Sequence, residues 1–306
     1  MKGLDLAEAY YGSVGLAMIR ERFRAFEDRL AVGLAGPGSE CFGFDDEVSR
    51  DHDWGPAFCL WLTEDDYRLI GDSLQNAYME LPPIFKGFGP RKASPGEEWR
   101  VGVCRTADFF RRFTGLDRPP RTLPEWLRIP DQNLAVCTNG RVFSDPLGEF
   151  TRWRLALLAY YPEDIRLKKI ASLCITIAQT GQYNFLRSLK RGEIFSASYS
   201  VMKFCADAMG LVFLLNRRYA PFYKWLHRAV RDLPALGAEV YQQISALLAE
   251  EDTGRRADVM ESVSVLLAGA LREQGLSDSD SEFLLDHAPR VQANITDARL
   301  RQHLSA

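Results

Sequence analysis

The first half of the chain places short apolar runs between amphipathic stretches. Three uninterrupted apolar runs, at 30–35, 57–62 and 101–104, have the length of buried strands. Thr63 has an acid three residues later, so a helix is predicted to follow it and to end near Glu80. An opening helix is predicted by apolar residues at helical spacing, namely Ala7, Tyr11, Val14 and Met18.

Further along the chain, the sequence predicts a loop and another helix. Residues 82–98 are rich in Gly, Pro and Lys, which predicts a loop. A helix is predicted over 107–113, directly after the third strand. This alternation of strands and helices is typical of a small α/β domain.

The second half of the chain repeats apolar residues at helical spacing almost throughout. Four stripes predict amphipathic helices in succession, which indicates a helical bundle. The stripes are Leu167, Ile170, Ala171, Cys174, Ile177 and Ala178; Val201, Phe204, Cys205, Ala208, Val212 and Leu215; Val240, Ile244, Leu247 and Leu248; and Val259, Met260, Val263, Leu266 and Leu267. The turn at 145–148 sets the predicted boundary between an α/β domain, 1–148, and a helical bundle domain, 149–306. The predicted fold class is α+β.

Composition narrows the class of protein. The 306 residues carry 38 basic and 41 acidic side chains, a formal net charge of −3, and 46% are hydrophobic. This balance argues against disorder and lacks the electrostatic footprint of a general nucleic-acid binder. The six cysteines form no CxxC pair, and no apolar run reaches 18 residues. A reduced, cytoplasmic protein without a membrane span is therefore expected.

The segment between the first two predicted strands carries the candidate chemistry. Gly38 and Ser39 follow the first strand, and Asp51 and Asp53 precede the second. Residues i and i+2 of a strand project to the same face, so the two carboxylates are expected side by side, with His52 pointing away. Such a pair suits Mg²⁺. Water molecules and substrate phosphates then complete the coordination shell of the ion. A Gly-Ser turn lets backbone N–H groups approach a phosphate, and the serine hydroxyl adds a donor.

A second Asp-x-Asp, at Asp278 and Asp280, provides an internal comparison. It has no Gly-Ser before it and no apolar strand after it, so a solvated turn is predicted. The corresponding interpretation of Asp51 and Asp53 is that they are turn acids at the start of a strand. The ordered combination of strand, Gly-Ser, acidic loop, Asp-x-Asp and strand favours the functional interpretation instead.

This ordered combination resembles the active-site signature of the polymerase-β-type nucleotidyltransferase superfamily. Residues 38–55 (GSECFGFDDEVSRDHDWG) are similar to an uncharacterised bacterial branch, a catalogued domain of unknown function similar to aminoglycoside nucleotidyltransferases. The same likeness extends to Trp126-Leu127, Val142–Asp145, Tyr161-Pro162 and Asn216–Trp225. It covers about residues 25–235 and implies a small nucleotidyltransferase-like mixed sheet with flanking helices, followed by an α-helical bundle.

The resemblance also implies roles for the residues of the motif. Gly38 and Ser39 would hold the triphosphate of an NTP substrate, and Asp51 and Asp53 would carry two Mg²⁺ ions. The superfamily adds a third carboxylate in the middle of a later strand, where this chain has Gly102. Glu97, Glu98 and Asp108 lie nearby, but none stands at the matching position.

Charged residues of the second half complete the candidates. Arg218 and Lys224 flank an aromatic cluster and are candidates for phosphate binding in a cleft, with the basic, solvated end of a helix as the alternative. Glu193 follows a basic cluster at the start of a long predicted helix. If buried against a cleft, it is the candidate general base; the alternative is a solvated first-turn glutamate.

These features predict a metal-dependent nucleotidyltransferase. It would move a nucleoside monophosphate, in the first instance AMP, from an NTP to a hydroxyl of a small molecule or macromolecule and release pyrophosphate. The acceptor is not identified by the sequence; a tRNA end and a homodimeric state both stay open. The alternative, which Gly102 favours, is a catalytically reduced nucleotide sensor or a partner-binding, antitoxin-like module.

Overall fold

The computed structural model describes residues 1–302 and divides into two compact units. The first contains residues 1–121 and 128–159, and the second contains 122–127 and the residues from 160 onward. The predicted boundary after residue 148 is too early, because the helix that follows belongs to the first unit. There Phe150 stacks on Trp61 with ring centroids 3.8 Å apart, and Trp153 stacks on Phe110 at 4.6 Å.

The regular elements are numbered in chain order. The strands are β1 (Ala31–Leu34), β2 (Cys59–Leu62), β3 (Gly102–Arg105) and β4 (Arg141–Ser144). The helices are α1 (Gly3–Tyr10), α2 (Leu16–Arg22), α3 (Glu64–Met79), α4 (Thr106–Thr114), α5 (Leu123–Arg128), α6 (Asp131–Thr138), α7 (Glu149–Leu158), α8 (Glu163–Ile177), α9 (Phe185–Lys190), α10 (Ile194–Leu215), α11 (Tyr223–Val230), α12 (Gly237–Ala249), α13 (Thr253–Glu273), α14 (Leu284–Ala293) and α15 (Ala298–Gln302).

The first unit is built on a four-stranded mixed sheet in the order β3-β2-β1-β4. Strand β1 is antiparallel to both β2 and β4, whereas β2 and β3 are parallel. Both faces of β2 are buried: Phe58, Leu60 and Leu62 pack in one core cluster, and Trp61 contacts Phe109 and Phe150. A strand covered on both faces has a continuous apolar sequence, which is why the runs 30–35 and 57–62 were informative.

The start of α3 confirms the predicted helix signal. The Thr63 hydroxyl accepts a hydrogen bond from the Asp66 backbone N–H at 3.1 Å. Asp66 is buried and bonded in turn to Arg29, with Nε and Oδ1 2.9 Å apart. Strand β4 and helices α5 and α6 were not predicted. Because β4 lies at the edge of the sheet and is only partly buried, it lacks a continuous apolar run.

The second unit contains helices and no strand within its described residues. The four predicted stripes mark its core, with three exceptions: Val259 and Leu266 are half-buried, and Leu248 is exposed. Buried Arg166 on α8 donates to the Leu214 carbonyl and to the Gln274 side chain, both at 2.9 Å, and so links α8 to the end of α10 and to the residue that follows α13. Together with the mixed sheet, this helical unit confirms the predicted α+β class.

Helix α10 is long and apolar enough, by length and composition, to cross a membrane. Of its apolar stretch, however, 67% is buried within the structure. Its first turns are an exception, since Ile194 and Phe195 are exposed.

Candidate functional site

The candidate site lies in the first unit, at the edge of the sheet where β1 ends and β2, β3 and β4 begin. Gly33 pairs with Cys59, so the chain leaves the end of β1 beside the start of β2. Cys59 also pairs with Gly102 at the start of β3, and Leu34 pairs with Arg141 at the start of β4. The Gly-Ser segment, the Asp-x-Asp segment and the segment before β3 therefore emerge at the same edge.

The Gly-Ser turn is held by contacts that the sequence did not reveal. Asn139, just before β4, accepts a hydrogen bond from the Gly36 N–H at 3.2 Å and donates to the Gly36 carbonyl at 2.8 Å. Ser39 then begins a short 3-10 turn, and its hydroxyl has no hydrogen-bond partner within residues 1–302. This hydroxyl is thus available to a ligand, as the phosphate-binding role requires.

Within the turn itself, a steric contact favours glycine at position 38. Its φ is not positive, so backbone conformation does not demand glycine there. A Cβ at this position would collide with the carboxylate of Glu40. Glu40 is buried and paired with Arg91, whose side chain is 8% exposed, with Oε1 and Nη1 3.1 Å apart, and Glu40 therefore has little freedom to move aside.

The two aspartates of the motif are not on a strand, so their expected side-by-side placement on one strand face is wrong. Asp51 has helical angles (φ −66°, ψ −36°), Asp53 has a left-handed φ of 51°, and β2 begins only at Cys59. The interruption follows from Gly55, with φ 147°, and from a hydrogen bond of 2.7 Å from the Asp53 N–H to the Lys92 carbonyl. The Asp-x-Asp segment is a turn that is bonded to the 82–98 loop.

Asp51 and Asp53 occupy different environments. The Asp51 side chain is 65% exposed, and the His52 ring, with Nδ1 2.9 Å from Oδ1, holds the pKa of that carboxyl below its ordinary value. Asp53 is buried and accepts from the Ser94 N–H at 3.0 Å and the Ser94 hydroxyl at 2.7 Å, with Arg100 Nη1 at 3.3 Å. Burial raises the pKa of Asp53, but the hydrogen bonds from Ser94 and the positive charge of Arg100 outweigh it and lower the pKa.

The third carboxylate has no counterpart at the predicted position. Gly102 is the first residue of β3, has φ 88°, and a Cβ there would lie 2.7 Å from Gln75 Oε1. The nearby acids are engaged elsewhere: Glu97 pairs with Arg100 at 2.7 Å, and Asp108 pairs with Arg111 at 2.5 Å. Among residues 1–302, no group of three or more His, Cys, Asp or Glu side chains could hold a metal ion.

The remaining candidates belong to the second unit. Glu193 is the residue before α10 and is exposed, so the burial on which its role as general base depended is not met, and its position matches the alternative of a solvated glutamate. Arg218 is exposed, and its backbone carbonyl accepts from the Tyr160 hydroxyl at 3.3 Å. Lys224 lies over the Trp225 ring at 4.9 Å. Their roles stay predictions.

Comparisons with known proteins found one family model and one distantly similar solved structure. A family model described as a domain of unknown function (DUF4037) matches residues 126–226. A solved structure of a nucleotidyltransferase-like protein from Exiguobacterium sibiricum is similar, with a TM-score of 0.38 and 11% identity, over 86% of this chain and 76% of that one. No curated protein matches the chain.

The matched family segment bears on part of the resemblance only. It contains four of the stretches that carried the likeness to a domain of unknown function, from Trp126-Leu127 to Asn216–Trp225, and also Arg218 and Lys224. The Gly-Ser and Asp-x-Asp segments lie outside it. The likeness to aminoglycoside nucleotidyltransferases stays a prediction.

Several residues of the site were missed from sequence. Glu40, Arg91, Ser94, Arg100 and Asn139 all contact the motif segments. Arg91 and Ser94 lie in a stretch rich in Gly, Pro and Lys, which indicated a loop but not a role. The charged character of that loop was the one available signal.

Proposed function

We propose that the protein transfers a nucleoside monophosphate from an NTP to a hydroxyl of an acceptor, in a metal-dependent reaction at the sheet edge of the first unit. The observation that supports this most is the convergence of the Gly-Ser turn and the Asp-x-Asp turn at one edge, beside the unbonded hydroxyl of Ser39. The acceptor oxygen would form a bond to the α-phosphorus as the bond from that phosphorus to the bridging oxygen breaks. Pyrophosphate leaves with the electron pair, and the hydroxyl proton passes to a base.

The residues present fit Mg²⁺ in part. Asp51 and Asp53 are hard-oxygen donors, and an ion bound by one or two carboxylates is normally completed by substrate phosphates and water. Asp51 Oδ2 has no hydrogen-bond partner within residues 1–302, whereas both Asp53 oxygens already accept hydrogen bonds. When bound, Mg²⁺ would neutralise charge on the phosphates and polarise the α-phosphorus. A second ion would need ligands beyond this pair and stays a prediction.

The chain's own groups would position the phosphates. The Ser39 hydroxyl is free to donate to a phosphate oxygen, and the Asn139 bonds to Gly36 keep the turn in place before substrate arrives. Such preorganised donors contribute most of the stabilisation in phosphoryl-type transfer. Gly38 and Ser39 are therefore proposed to bind the triphosphate, and Arg218 and Lys224 stay candidates for the same ligand.

Glu193 is exposed and does not meet the burial condition, so it stays the candidate general base only because it lies beside the basic residues before α10. Its replacement in Glu193→Gln is expected to reduce turnover about 10²–10⁴-fold with unchanged NTP binding. Glu282→Gln, an acid outside any helix, is the control. Unchanged turnover in Glu193→Gln would assign the base to another residue.

A second candidate function is nucleotide binding without transfer. The observation that favours it is the engagement of Asp53 by Arg100 and Ser94, together with Gly102 at the position of the missing acid. In that case the chain binds an NTP as a sensor or as a partner-binding module.

Two measurements separate these functions. Equilibrium binding of ATP, GTP, CTP and UTP, with and without Mg²⁺, tests NTP binding, which both functions require. Release of pyrophosphate over a panel of hydroxyl acceptors then tests transfer. Mg²⁺-dependent NTP binding with pyrophosphate release supports the transferase, and binding without release over the whole panel supports the sensor. Absence of NTP binding would contradict both.

A further inference from the structure

A surface cleft of about 310 Å³ opens on the first unit beside the Asp-x-Asp turn. One wall is formed by Arg50, Asp51 and Trp54, and the other by the 87–90 segment and Lys92. Its volume falls at the lower end of the range for small-molecule sites. Arg50 lies within the 38–55 stretch that carries the resemblance, but neither Arg50 nor Lys92 is among the predicted phosphate-binding residues.

The walls of the cleft are held in place by hydrogen bonds and ring contacts. The Trp54 indole donates to Asp45 Oδ2 at 3.1 Å, and its ring meets that of Phe88 edge-on at 5.2 Å. Phe88 is fixed by a reciprocal pair of backbone hydrogen bonds with Phe85, at 2.9 and 3.0 Å. The Asp53 N–H binds the Lys92 carbonyl and so ties the two walls together. The cleft is therefore formed before any ligand binds.

The two cations of the cleft lack acidic partners. The Arg50 guanidinium lies 4.6 Å from the Trp54 ring centroid and 5.7 Å from that of Phe88. It donates to the Met1 carbonyl at 3.0 Å, and its Nε is buried with no hydrogen-bond partner within residues 1–302. Over the same residues neither Arg50 nor Lys92 forms an ion pair. Nearby Arg91 and Arg100, by contrast, are paired with Glu40 and Asp53.

The remaining charge on the cleft is Asp51, whose Oδ1 is engaged by His52. Two cations against one carboxylate leave the lining positive. Gly87 and Gly89 have open space where a Cβ would stand, so a ligand can approach the backbone there. Arginine forks and lysine point charges are the side chains that bind phosphate groups.

From this arrangement we infer that the cleft binds a phosphate group of a substrate through Arg50 and Lys92. The inference deepens the proposed function, on which it rests for the identity of the substrate. The phosphate belongs either to the NTP itself or to a phosphorylated acceptor, and the two sources share the same chemistry at this cleft.

The test is equilibrium binding of three probes, each with and without Mg²⁺: inorganic triphosphate, ATP and glucose 6-phosphate. The variants are Arg50→Gln and Lys92→Gln. The matched control is Lys86→Gln, a lysine of the same loop that lies over Phe85 at 5.5 Å and does not line the cleft. Circular dichroism of each variant checks that it is folded. Because Lys92 is exposed, Lys92→Gln is expected to fold and still tests the inference if Arg50→Gln does not fold.

Loss of a charged hydrogen bond predicts about 10- to 100-fold weaker binding of at least one probe in each cleft variant, and none in Lys86→Gln. Weaker triphosphate and ATP binding assigns the cleft to the donor, and weaker glucose 6-phosphate binding alone assigns it to an acceptor. Wild-type affinities for all probes in both cleft variants, or no probe binding to the wild type, would overturn the inference. Pyrophosphate release is scored separately: a wild type without turnover whose variants still lose probe binding refutes the transferase but not the cleft.

Discussion

The two Asp-x-Asp turns of the chain have similar sequences and different surroundings. Both line a cleft, of about 310 Å³ at Asp51 and about 240 Å³ at Asp278. In the second cleft the cation Arg290 is paired with Asp278 at 3.5 Å, whereas Arg50 and Lys92 of the first form no ion pair within residues 1–302. A cation without an acidic partner is available to a ligand anion. The neighbours of the motif, rather than the motif, therefore distinguish the proposed ligand site from the second turn.

The second turn also has a structural role, so its interpretation as a solvated turn is only partly right. Asp278 and Asp280 are exposed, but Ser277 is buried and its hydroxyl lies 2.9 Å from His287 Nδ1. His287 Nε2 lies 2.7 Å from the Ser281 carbonyl, and Arg272 donates to the Ser279 carbonyl at 3.3 Å. The turn thereby joins α13 to α14.

The largest expected effect concerns this structural role. His287→Ala removes a fully buried side chain and leaves the Ser277 hydroxyl and the Ser281 carbonyl without a partner. We expect the free energy of unfolding to fall by about 3 kcal/mol, measured by urea denaturation, with unchanged NTP affinity. A loss below about 1 kcal/mol, or weaker NTP binding in the folded variant, would contradict the contrast between the two turns.

The next effect concerns the Gly-Ser turn. Ser39→Ala is expected to weaken NTP binding by about 1.5–3 kcal/mol, the contribution of a hydrogen bond to a charged group, and to leave stability unchanged. Ser73→Ala, an exposed serine on α3, is the control. The phosphates bind elsewhere if calorimetry gives Ser39→Ala and Ser73→Ala the same affinity.

A smaller effect distinguishes the second aspartate of each pair. Asp53→Asn weakens the bonds to Arg100 and Ser94 and is expected to lower the free energy of unfolding at pH 7 by about 1–2 kcal/mol. Exposed Asp280→Asn should change it by less than about 0.5 kcal/mol. Equal losses for the two variants would show that burial of Asp53 does not contribute to stability.

The pH dependence of unfolding provides a further check on Asp53. Its pKa is lower in the folded than in the unfolded chain, so its stabilising contribution is complete above the unfolded value near 4 and is lost as the pH falls through the folded value. As the pH falls from 7 to below the folded pKa of Asp53, the free energy of unfolding should therefore decrease less in Asp53→Asn than in the wild type. Parallel pH profiles of the two proteins would contradict this assignment.

The sequence predicted the elements that are buried on both sides and missed those held by single polar contacts. The runs 30–35 and 57–62 were found because continuous apolar residues fill a sheet covered on both faces. Strand β4 was missed because Arg141–Ser144 contains only two apolar residues, whereas the other edge strand, β3, overlaps the apolar run 101–104. Asn139, Arg91 and Ser94 were missed because their partners lie 41 to 103 residues away along the chain, at a separation that no local pattern records.

The motif illustrates the same limit. Its two segments do lie between two strands, as the order of residues predicted, but the strand geometry assumed for Asp51 and Asp53 was wrong. Gly55 and the bond from Asp53 to Lys92 turn the chain before β2 begins. This placement buries Asp53 and leaves Asp51 exposed, so Asp51 is the better residue for testing metal binding.

The most direct measurement is the Mg²⁺ dependence of ATP binding in Asp51→Asn and in Asp278→Asn. Both aspartates are exposed, so neither substitution should unfold its unit. With a non-hydrolysable ATP analogue in a calorimeter, the Mg²⁺-dependent part of the affinity should disappear in Asp51→Asn and persist in Asp278→Asn. Wild-type Mg²⁺-dependent affinity in Asp51→Asn would contradict the proposed metal and nucleotide site.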